Sequence, residues 1–404
     1  MPLRRDLLGG AAVMLAGATL ASPLVARTTP RGRAGQSPAS GEPMTPAQSP
    51  LGPLDTPAKQ VILLDADTGT VLLDKGAGER MRPSSMSKLM TVYVVFDMLK
   101  QGRLRLDQAL PVSEAAWRKG GSKMFVELGS SITVDNLLRG VVVQSGNDAC
   151  IVLAEGVSGS EDQFAVLLNE YAQRLGMKDS TFRNATGWPD PEHLTTCRDL
   201  SLLARRLISD FPQYYSYFGI PSFEWNGISQ ANRDPLIGRV AGADGMKTGH
   251  TEAAGYGLVG TAKRGERRLI LVTNGMTSMR MRGDESARLL EWGFANFENV
   301  ALFRAAETLE EAPVHLGTRP TVPLVAGRDM VLTMPRAWRR DLSVKLRYNG
   351  PLPAPVIKGQ EIGSIEVARP GAEPVMLPLL AGADVPQLGL ISRLPAVLGS
   401  LIPG

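Results

Sequence analysis

The stretch Pro83-Ser84-Ser85-Met86-Ser87-Lys88-Leu89-Met90 decides how the rest of the chain is read. Ser85 and Lys88 stand three residues apart, so on a helix their side chains share one face, one turn apart. A serine hydroxyl is a poor nucleophile until a base removes its proton. Lysine can be that base when burial or a second cation lowers its pKa. Pro83 suits the approach to a helix N-terminus. In the first turn, Ser85 would gain from the helix dipole as negative charge develops. The pair therefore asks the chain for a further positive charge and for polar groups that hold a substrate.

Both parts follow later in the sequence. Ser145-Gly146-Asn147 interrupts two helical stretches, one with Leu137, Leu138, Val141 and Val142 on its apolar face and one running through Ile151, Val152 and Leu153. Lys247-Thr248-Gly249-His250 precedes the run Tyr256–Thr261. A turn at Lys263-Arg264-Gly265-Glu266 then leads into Leu269–Thr273, which reads as a hairpin. Each residue has an ordinary reading: Ser145 and Asn147 as helix caps, Lys247 and Arg233 as solvated charges, His250 as a turn cap. A lone Ser-x-x-Lys spacing arises by chance in a chain of this size. Three motifs in this order, at a helix start, an interhelical break and a strand edge, are far more specific.

Around these motifs the elements alternate. Val61–Leu64 and Val71–Leu73 flank the turn residues Asp67-Thr68-Gly69 and read as paired strands. Thr91–Val95 has strand propensity, yet the apolar run continues through Phe96, Met98 and Leu99 to Gln101-Gly102. The reading chosen is a central helix, apolar nearly all round and therefore buried. Residues 164–175, 198–209 and 284–297 read as further helices. Strands, then helices, then strands again predict an α+β catalytic domain over 57–301. From residue 302 to 384, short runs such as Met330–Thr333, Leu342–Leu346 and Ile362–Val367, punctuated by Gly and Pro, predict a small all-β, sandwich-like domain.

The ends are of another kind. Residues 1–26 carry Arg4 and Arg5 ahead of an apolar run from Leu7 to Ala21, too short for a comfortable membrane span, and read as an export signal. Arg4-Arg5-Asp6-Leu7-Leu8 has twin-arginine character, and an ordinary secretory leader fits the same residues. Residues 27–56, rich in Pro, Ser, Thr, Gly and Ala, read as a linker. From 385 to 404 an apolar tail sets Leu388, Ile391, Leu394, Leu398 and Leu401 on one helical face, with Pro395 interrupting it.

Composition narrows the classes. The 43% apolar content supplies a full core, and the net charge of +4 comes without a basic run interleaved with aromatics, so no nucleic-acid partner is expected. Cys150 and Cys197 read as buried free thiols, and with three histidines they support no metal cluster.

The motif set is that of penicillin-binding proteins and class A β-lactamases. Over residues 57–370 the chain resembles the low-molecular-weight penicillin-binding proteins that are serine-type D-alanyl-D-alanine carboxypeptidases. The likeness is carried by Val61–Gly69, Ser145–Cys150, Asn184–Gly187, Asp244–Thr251, Leu290–Phe294, Leu332–Arg336 and Pro355–Gln360. The resemblance implies a penicillin-binding/β-lactamase-like transpeptidase fold and no cofactor. It implies Ser85 as acylated nucleophile, Lys88 as general base and Ser145 as proton relay to the leaving group. Asn147 would hold substrate backbone and orient Lys88. Lys247 would keep Lys88 neutral by repulsion and attract the substrate's terminal carboxylate, with Thr248, Gly249 and His250 on the strand that binds it. Ser85 and His250 N–H groups would form the oxyanion hole. Arg233 matches an arginine near the carboxylate pocket, although its loop to Lys247 is one residue shorter.

The expected substrates are peptidoglycan pentapeptide stems, with β-lactams as covalent inhibitors, at the extracytoplasmic face of the membrane. The mild positive charge suits an anionic wall polymer or membrane surface. A D,D-endopeptidase would use the same residues. A β-lactamase would need a placed glutamate for deacylation, for which Glu192 is the candidate. The tail is expected to make peripheral membrane contact.

Overall fold

In the computed structural model, which describes residues 45–370 and 372–389, Val61–Leu64 lies in a strand whose side chains alternate between two cores. Ile62 and Leu64 join the core beneath the helices, whereas Val61 and Leu63 join the core on the opposite face. That is the period of two expected of a strand buried on both sides. The strand, β1 (Gln60–Asp65), pairs antiparallel with β2 (Val71–Lys75) and with β5 (Arg267–Met276). With β3 (Ala243–Thr251) and β4 (Gly255–Arg264) they form one five-stranded sheet in the order β2-β1-β5-β4-β3. β3, which carries Lys247 to His250, is an edge strand and offers its free side to the helices.

The stretch with strand propensity is helical. α1 (Lys88–Lys100) buries every residue from Lys88 to Phe96, together with Met98 and Leu99. Burial all round overrides the β-branched preference of Thr91, Val92, Val94 and Val95. Around α1 pack α2 (Val134–Val143), α3 (Asn147–Ser158), α4 (Glu161–Leu175) and α5 (Cys197–Asp210). α6 (Met279–Asn296) covers the other face of the sheet through Leu289, Leu290 and Phe294. The catalytic domain is thus a sheet between two helical layers.

The second domain is all-β. A ladder of β6 (Phe297–Phe303) and β9 (Met330–Pro335) shares a core with a larger sheet. That sheet contains β7 (Thr308–His315), β8 (Thr321–Ala326), β10 (Ser343–Tyr348), β11 (Glu361–Arg369) and β12 (Ala372–Ala381), ordered β10-β11-β12-β8-β7, with Leu352–Pro353 added beside β7. At the junction Arg267 donates to Asp65 Oδ2 at 3.0 Å and to Phe297 O at 2.6 Å, and Thr68 Oγ1 bonds Thr333 Oγ1. A groove of about 1230 Å³ lies there; none of the expected site residues lines it.

The boundaries differ from the sequence reading in three places. Ala47 bridges Leu54 and Gln48 bridges Asp74, so the last part of the expected linker already pairs against β2. Phe297–Ala301 pairs with β9 and belongs to the β domain, ahead of the expected break at 302. Val385 bridges Val356 and is fully buried, and Gln387 bridges Gly317, so the tail's first residues are also part of that domain. The export signal, most of the linker and residues 390–404 of the tail lie outside the described residues. Among the described residues no helix is long and apolar enough to cross a membrane.

Candidate active site

Ser84–Ser87 forms a 3₁₀ turn, and α1 begins at Lys88. Residues i and i+3 eclipse when a turn holds three residues, which aligns Ser85 with Lys88 more tightly than an α-helix would. Lys88 Nζ lies 2.8 Å from Ser85 Oγ and donates to Thr186 O at 2.6 Å. The side chain is fully buried, and burial above all pushes its pKa down to about 8. The fields of Arg233 and Lys119 push the same way, against those of Cys150 and Asp148.

Ser84 takes φ +50, a sparsely populated conformation for a residue with a side chain. Its neighbour across the turn is Gly187, at φ +77, where a Cβ would stand 1.9 Å from Ser84 O. Only glycine permits that approach. The same holds at Gly249 of β3, where a Cβ would stand 2.9 Å from Pro83 O and 3.1 Å from Ser84 Cβ. The edge strand therefore lies directly against the turn that carries Ser85.

The break between α2 and α3 supplies the opposite wall. Ser145 sits at φ +62, and its Oγ accepts from Lys247 Nζ at 2.9 Å; Lys247 also donates to Thr248 O at 3.2 Å. Lys247 is buried, and its pKa is driven well below the ordinary lysine value, by burial first and then by the charges of Lys88 and Arg233. The repulsion expected between the two lysines is felt at Lys247. At Lys88 burial leads, and the cations that add to it are Arg233 and Lys119.

Asn147 donates from Nδ2 to Gly120 O at 2.8 Å, and its backbone N–H donates to Ser122 O at 2.7 Å. The group that steadies Lys88 from the far side is the Thr186 carbonyl, a role the sequence reading gave to Asn147. Asp148 ties down the next loop: its carboxylate accepts from the N–H groups of Met124, Phe125 and Val126. Arg233 reaches the same loop through Ser122 Oγ. Thr248 is buried, and His250 is exposed with its ring stacked on Tyr256 at 3.8 Å between centroids.

The nine expected residues thus fall on the 3₁₀ turn and the start of α1, the α2–α3 break and the start of α3, β3, and the loop at Arg233. Sequence reasoning missed Lys119, Thr186 and Asp148. Lys119 pairs with Glu161 at 3.4 Å and stands 5.4 Å from the Trp188 ring centroid. Thr186 acts through a carbonyl, which leaves no mark in a side-chain motif, whereas Asp148 lay within the matched text without a role. Glu192 lies at the surface in a 2.7 Å pair with Arg183. Cys150 and Cys197 are both free and buried. Among the described residues no cluster of His, Cys, Asp or Glu is arranged to hold a metal ion.

Comparison with known proteins identifies the family. Residues 44–278 match the family Peptidase S11, D-alanyl-D-alanine carboxypeptidase, and residues 297–387 match the penicillin-binding protein 5, C-terminal domain. D-alanyl-D-alanine carboxypeptidase DacA of Haemophilus influenzae is 36% identical, over 83% of this chain and 87% of that protein. D-alanyl-D-alanine carboxypeptidase DacC of Escherichia coli is 38% identical, over 83% of this chain and 86% of that protein. The crystal structure of penicillin binding protein 5 from Haemophilus influenzae superposes with a TM-score of 0.73 at 35% identity, over 83% of this chain and 99% of that one. Penicillin-binding protein D2 of Listeria monocytogenes, solved in an ampicillin-bound form, is similar over 60% of this chain and 98% of its own, at 28% identity and a TM-score of 0.55. With a catalytic family match over more than half of its length, and relatives of this identity and coverage, the chain belongs to the Peptidase S11 family of D-alanyl-D-alanine carboxypeptidases.

Proposed function

We propose that the protein removes the terminal D-Ala from peptidoglycan pentapeptide stems through a serine acyl-enzyme, and that β-lactams acylate the same serine. The observation that carries this reading is the 2.8 Å contact between Ser85 Oγ and a lysine whose pKa burial has lowered to about 8. Neutral Lys88 takes the Ser85 hydroxyl proton as Oγ bonds to the carbonyl carbon of the penultimate D-Ala. The carbonyl oxygen, now negative, is received by the N–H groups of Ser85 and His250; each such donor is worth about 3–4 kcal/mol of barrier. The proton taken by Lys88 is relayed through the hydroxyl of Ser145, held by Lys247, to the leaving nitrogen; the amide bond breaks, free D-Ala departs, and Lys88 is neutral again. Water then attacks the ester carbonyl, giving a proton to neutral Lys88; Lys88 returns it to Ser85 Oγ as the C–Oγ bond breaks, and the shortened stem leaves as its carboxylic acid.

Lys247, Thr248 and Arg233 receive the carboxylate of the terminal D-Ala. Binding that carboxylate favours the proton on Lys247. Gly249 serves by lacking a side chain. Fast deacylation of a β-lactam would need a carboxylate beside the acyl ester. Glu192, the residue considered for that task, is engaged with Arg183 at the surface, which favours a long-lived adduct.

The assay is release of D-Ala from a peptide ending in Lys-D-Ala-D-Ala, alongside a crosslinked muropeptide. Release from the first and little from the second supports the carboxypeptidase; preferential cleavage of the crosslink would make the protein an endopeptidase. Export through residues 1–26 and peripheral membrane contact through the tail complete the proposal. Because Val385 and Gln387 belong to the β domain, the truncation that tests the tail ends at Gly389. If that chain partitions onto anionic vesicles as well as the full one, the tail is not the anchor.

A further inference from the structure

Residues 119–126 form one strip of loop whose contacts change from end to end. At its start the strip meets the indole of Trp188. A Cβ at Gly120 would stand 3.5 Å from the indole Cη2. A Cβ at Gly121 would stand 3.1 Å from the indole Cζ3 and 2.7 Å from Asn147 Nδ2. Asn147 comes next, bonded to Gly120 O through its amide and to Ser122 O through its N–H. Then comes Arg233, bonded to Ser122 Oγ, and after it Gln230 Nε2, which donates to Lys123 O at 3.1 Å. The order along the strip is therefore indole, Asn147, Arg233.

Trp188 is also tied to the turn that steadies Lys88. Its N–H donates to Asn184 Oδ1 at 2.9 Å and to Thr186 Oγ1 at 3.1 Å. The same Asn184 oxygen accepts from the N–H groups of Thr186 and Gly187. Trp188 thus joins the turn on one side of the site to the strip on the other. Its backbone is pinned and its ring lies against two glycines, yet it remains 44% exposed. No step of the proposed reaction uses it. A rigid aromatic ring offers a large contact area at little cost in conformational entropy.

We infer that Trp188 is a specificity-determining residue: its indole receives the side chain of the stem residue that precedes D-Ala-D-Ala. The inference rests on the reading proposed above, in which the terminal carboxylate lies at Arg233 and the substrate backbone at Asn147. A peptide laid out in that way extends its preceding residue towards the other end of the strip, where the indole stands. Lys119, beside the ring, is paired with Glu161 at 3.4 Å, so the charges at this end are balanced. Recognition falls to apolar contact, and the ligand chemistry it fits is a chain of methylene groups, whatever polar group ends it.

The test is D-Ala release from two acetylated peptides, one with glycine and one with side-chain-acetylated lysine before D-Ala-D-Ala. Wild type is compared with Trp188→Ala and Trp188→Phe. The ratio of kcat/KM, lysyl over glycyl, should fall about tenfold in Trp188→Ala and be largely restored in Trp188→Phe. Loss of packing alone would lower both substrates together and leave the ratio where it was. A second series needs no variant: in wild type, kcat/KM should climb as the preceding residue is lengthened from glycine through alanine to norleucine. An unmoved ratio in Trp188→Ala, or a flat series in wild type, overturns the inference while leaving the carboxypeptidase reading in place. If wild type releases D-Ala from none of these peptides, that reading fails, and the inference falls with it.

Discussion

Lys88 Nζ lies between Ser85 Oγ at 2.8 Å and the Thr186 carbonyl at 2.6 Å, inside a fully buried pocket. A neutral amine keeps an N–H for Thr186 and turns its lone pair to the serine proton. An ammonium can only donate to both. In the proposed mechanism the protonation state of this one lysine therefore switches the nucleophile.

The rate of acylation follows from that switch. With a pKa of about 8, Lys88 is neutral above that value and carries its proton below it. At pH 7 about one molecule in ten has the base form, and the acylation rate should rise about tenfold per pH unit on approaching the limb. Stopped labelling with fluorescent penicillin across pH 5–9 measures it. A flat profile would remove Lys88 as the base.

The same burial has a cost in stability. Unfolded, the lysine titrates near its ordinary value of 10.5; folded, burial brings it to about 8. The penalty for burying the charge is complete below pH 8 and is relieved as pH rises from 8 to 10.5. Lys88→Met should abolish acylation yet raise stability by about 1–2 kcal/mol at neutral pH, since an apolar chain replaces a buried cation. Urea unfolding of both proteins checks this. Loss of stability would mean that the bond to Thr186 outweighs the burial cost.

Much of the site was legible because its chemistry is written in side chains at fixed spacings. Ser85 and Lys88 declare themselves by a three-residue step, and Lys247 by the strand run that follows it. The helix of α1 was legible against its strand propensity because the apolar run was too long for a strand. Lys119 was not, because it caps a helix of five residues, Glu114–Arg118, too short to show a period. The edges of the domains were hidden for a related reason: Ala47, Gln48, Val385 and Gln387 join the fold by single bridges, and a bridge leaves no periodic pattern.

Gly187 offers a steric test. Its φ of +77, and the 1.9 Å that would separate an added Cβ from Ser84 O, leave no room for alanine. Gly187→Ala should displace the Ser84–Ser87 turn and lower the acylation rate at least about 100-fold, a barrier increase of about 3 kcal/mol. Alanine at Gly102, where nothing lies within 4 Å, is the control that carries the φ strain without the collision. Equal loss in both would assign the effect to strain alone.

Asp148 ties down the loop of Met124, Phe125 and Val126. Removing its carboxylate leaves the N–H groups of Met124, Phe125 and Val126 without their acceptor. Asp148→Ala should cost about 3 kcal/mol or more, because unsatisfied buried donors keep their full desolvation penalty. Thermal unfolding measures it, and an unchanged midpoint would show that water replaces the carboxylate.

The pair of Lys247 and Ser145 should act on the peptide more than on the fold. In the proposed mechanism Lys247 meets the substrate carboxylate, so Lys247→Gln should raise KM for the D-Ala-D-Ala peptide about tenfold or more. An amidated peptide, lacking that carboxylate, should be turned over equally poorly by both proteins. If wild type hydrolyses the amide as well as the free acid, Lys247 does not read the terminus.

The most direct measurement follows the penicilloyl adduct on wild type and Ser85→Ala together with D-Ala release. The account predicts labelling of wild type that persists for many minutes, no labelling of Ser85→Ala, and D-Ala release by wild type alone. Equal labelling of the two proteins would contradict it, because Ser85 would not be the nucleophile.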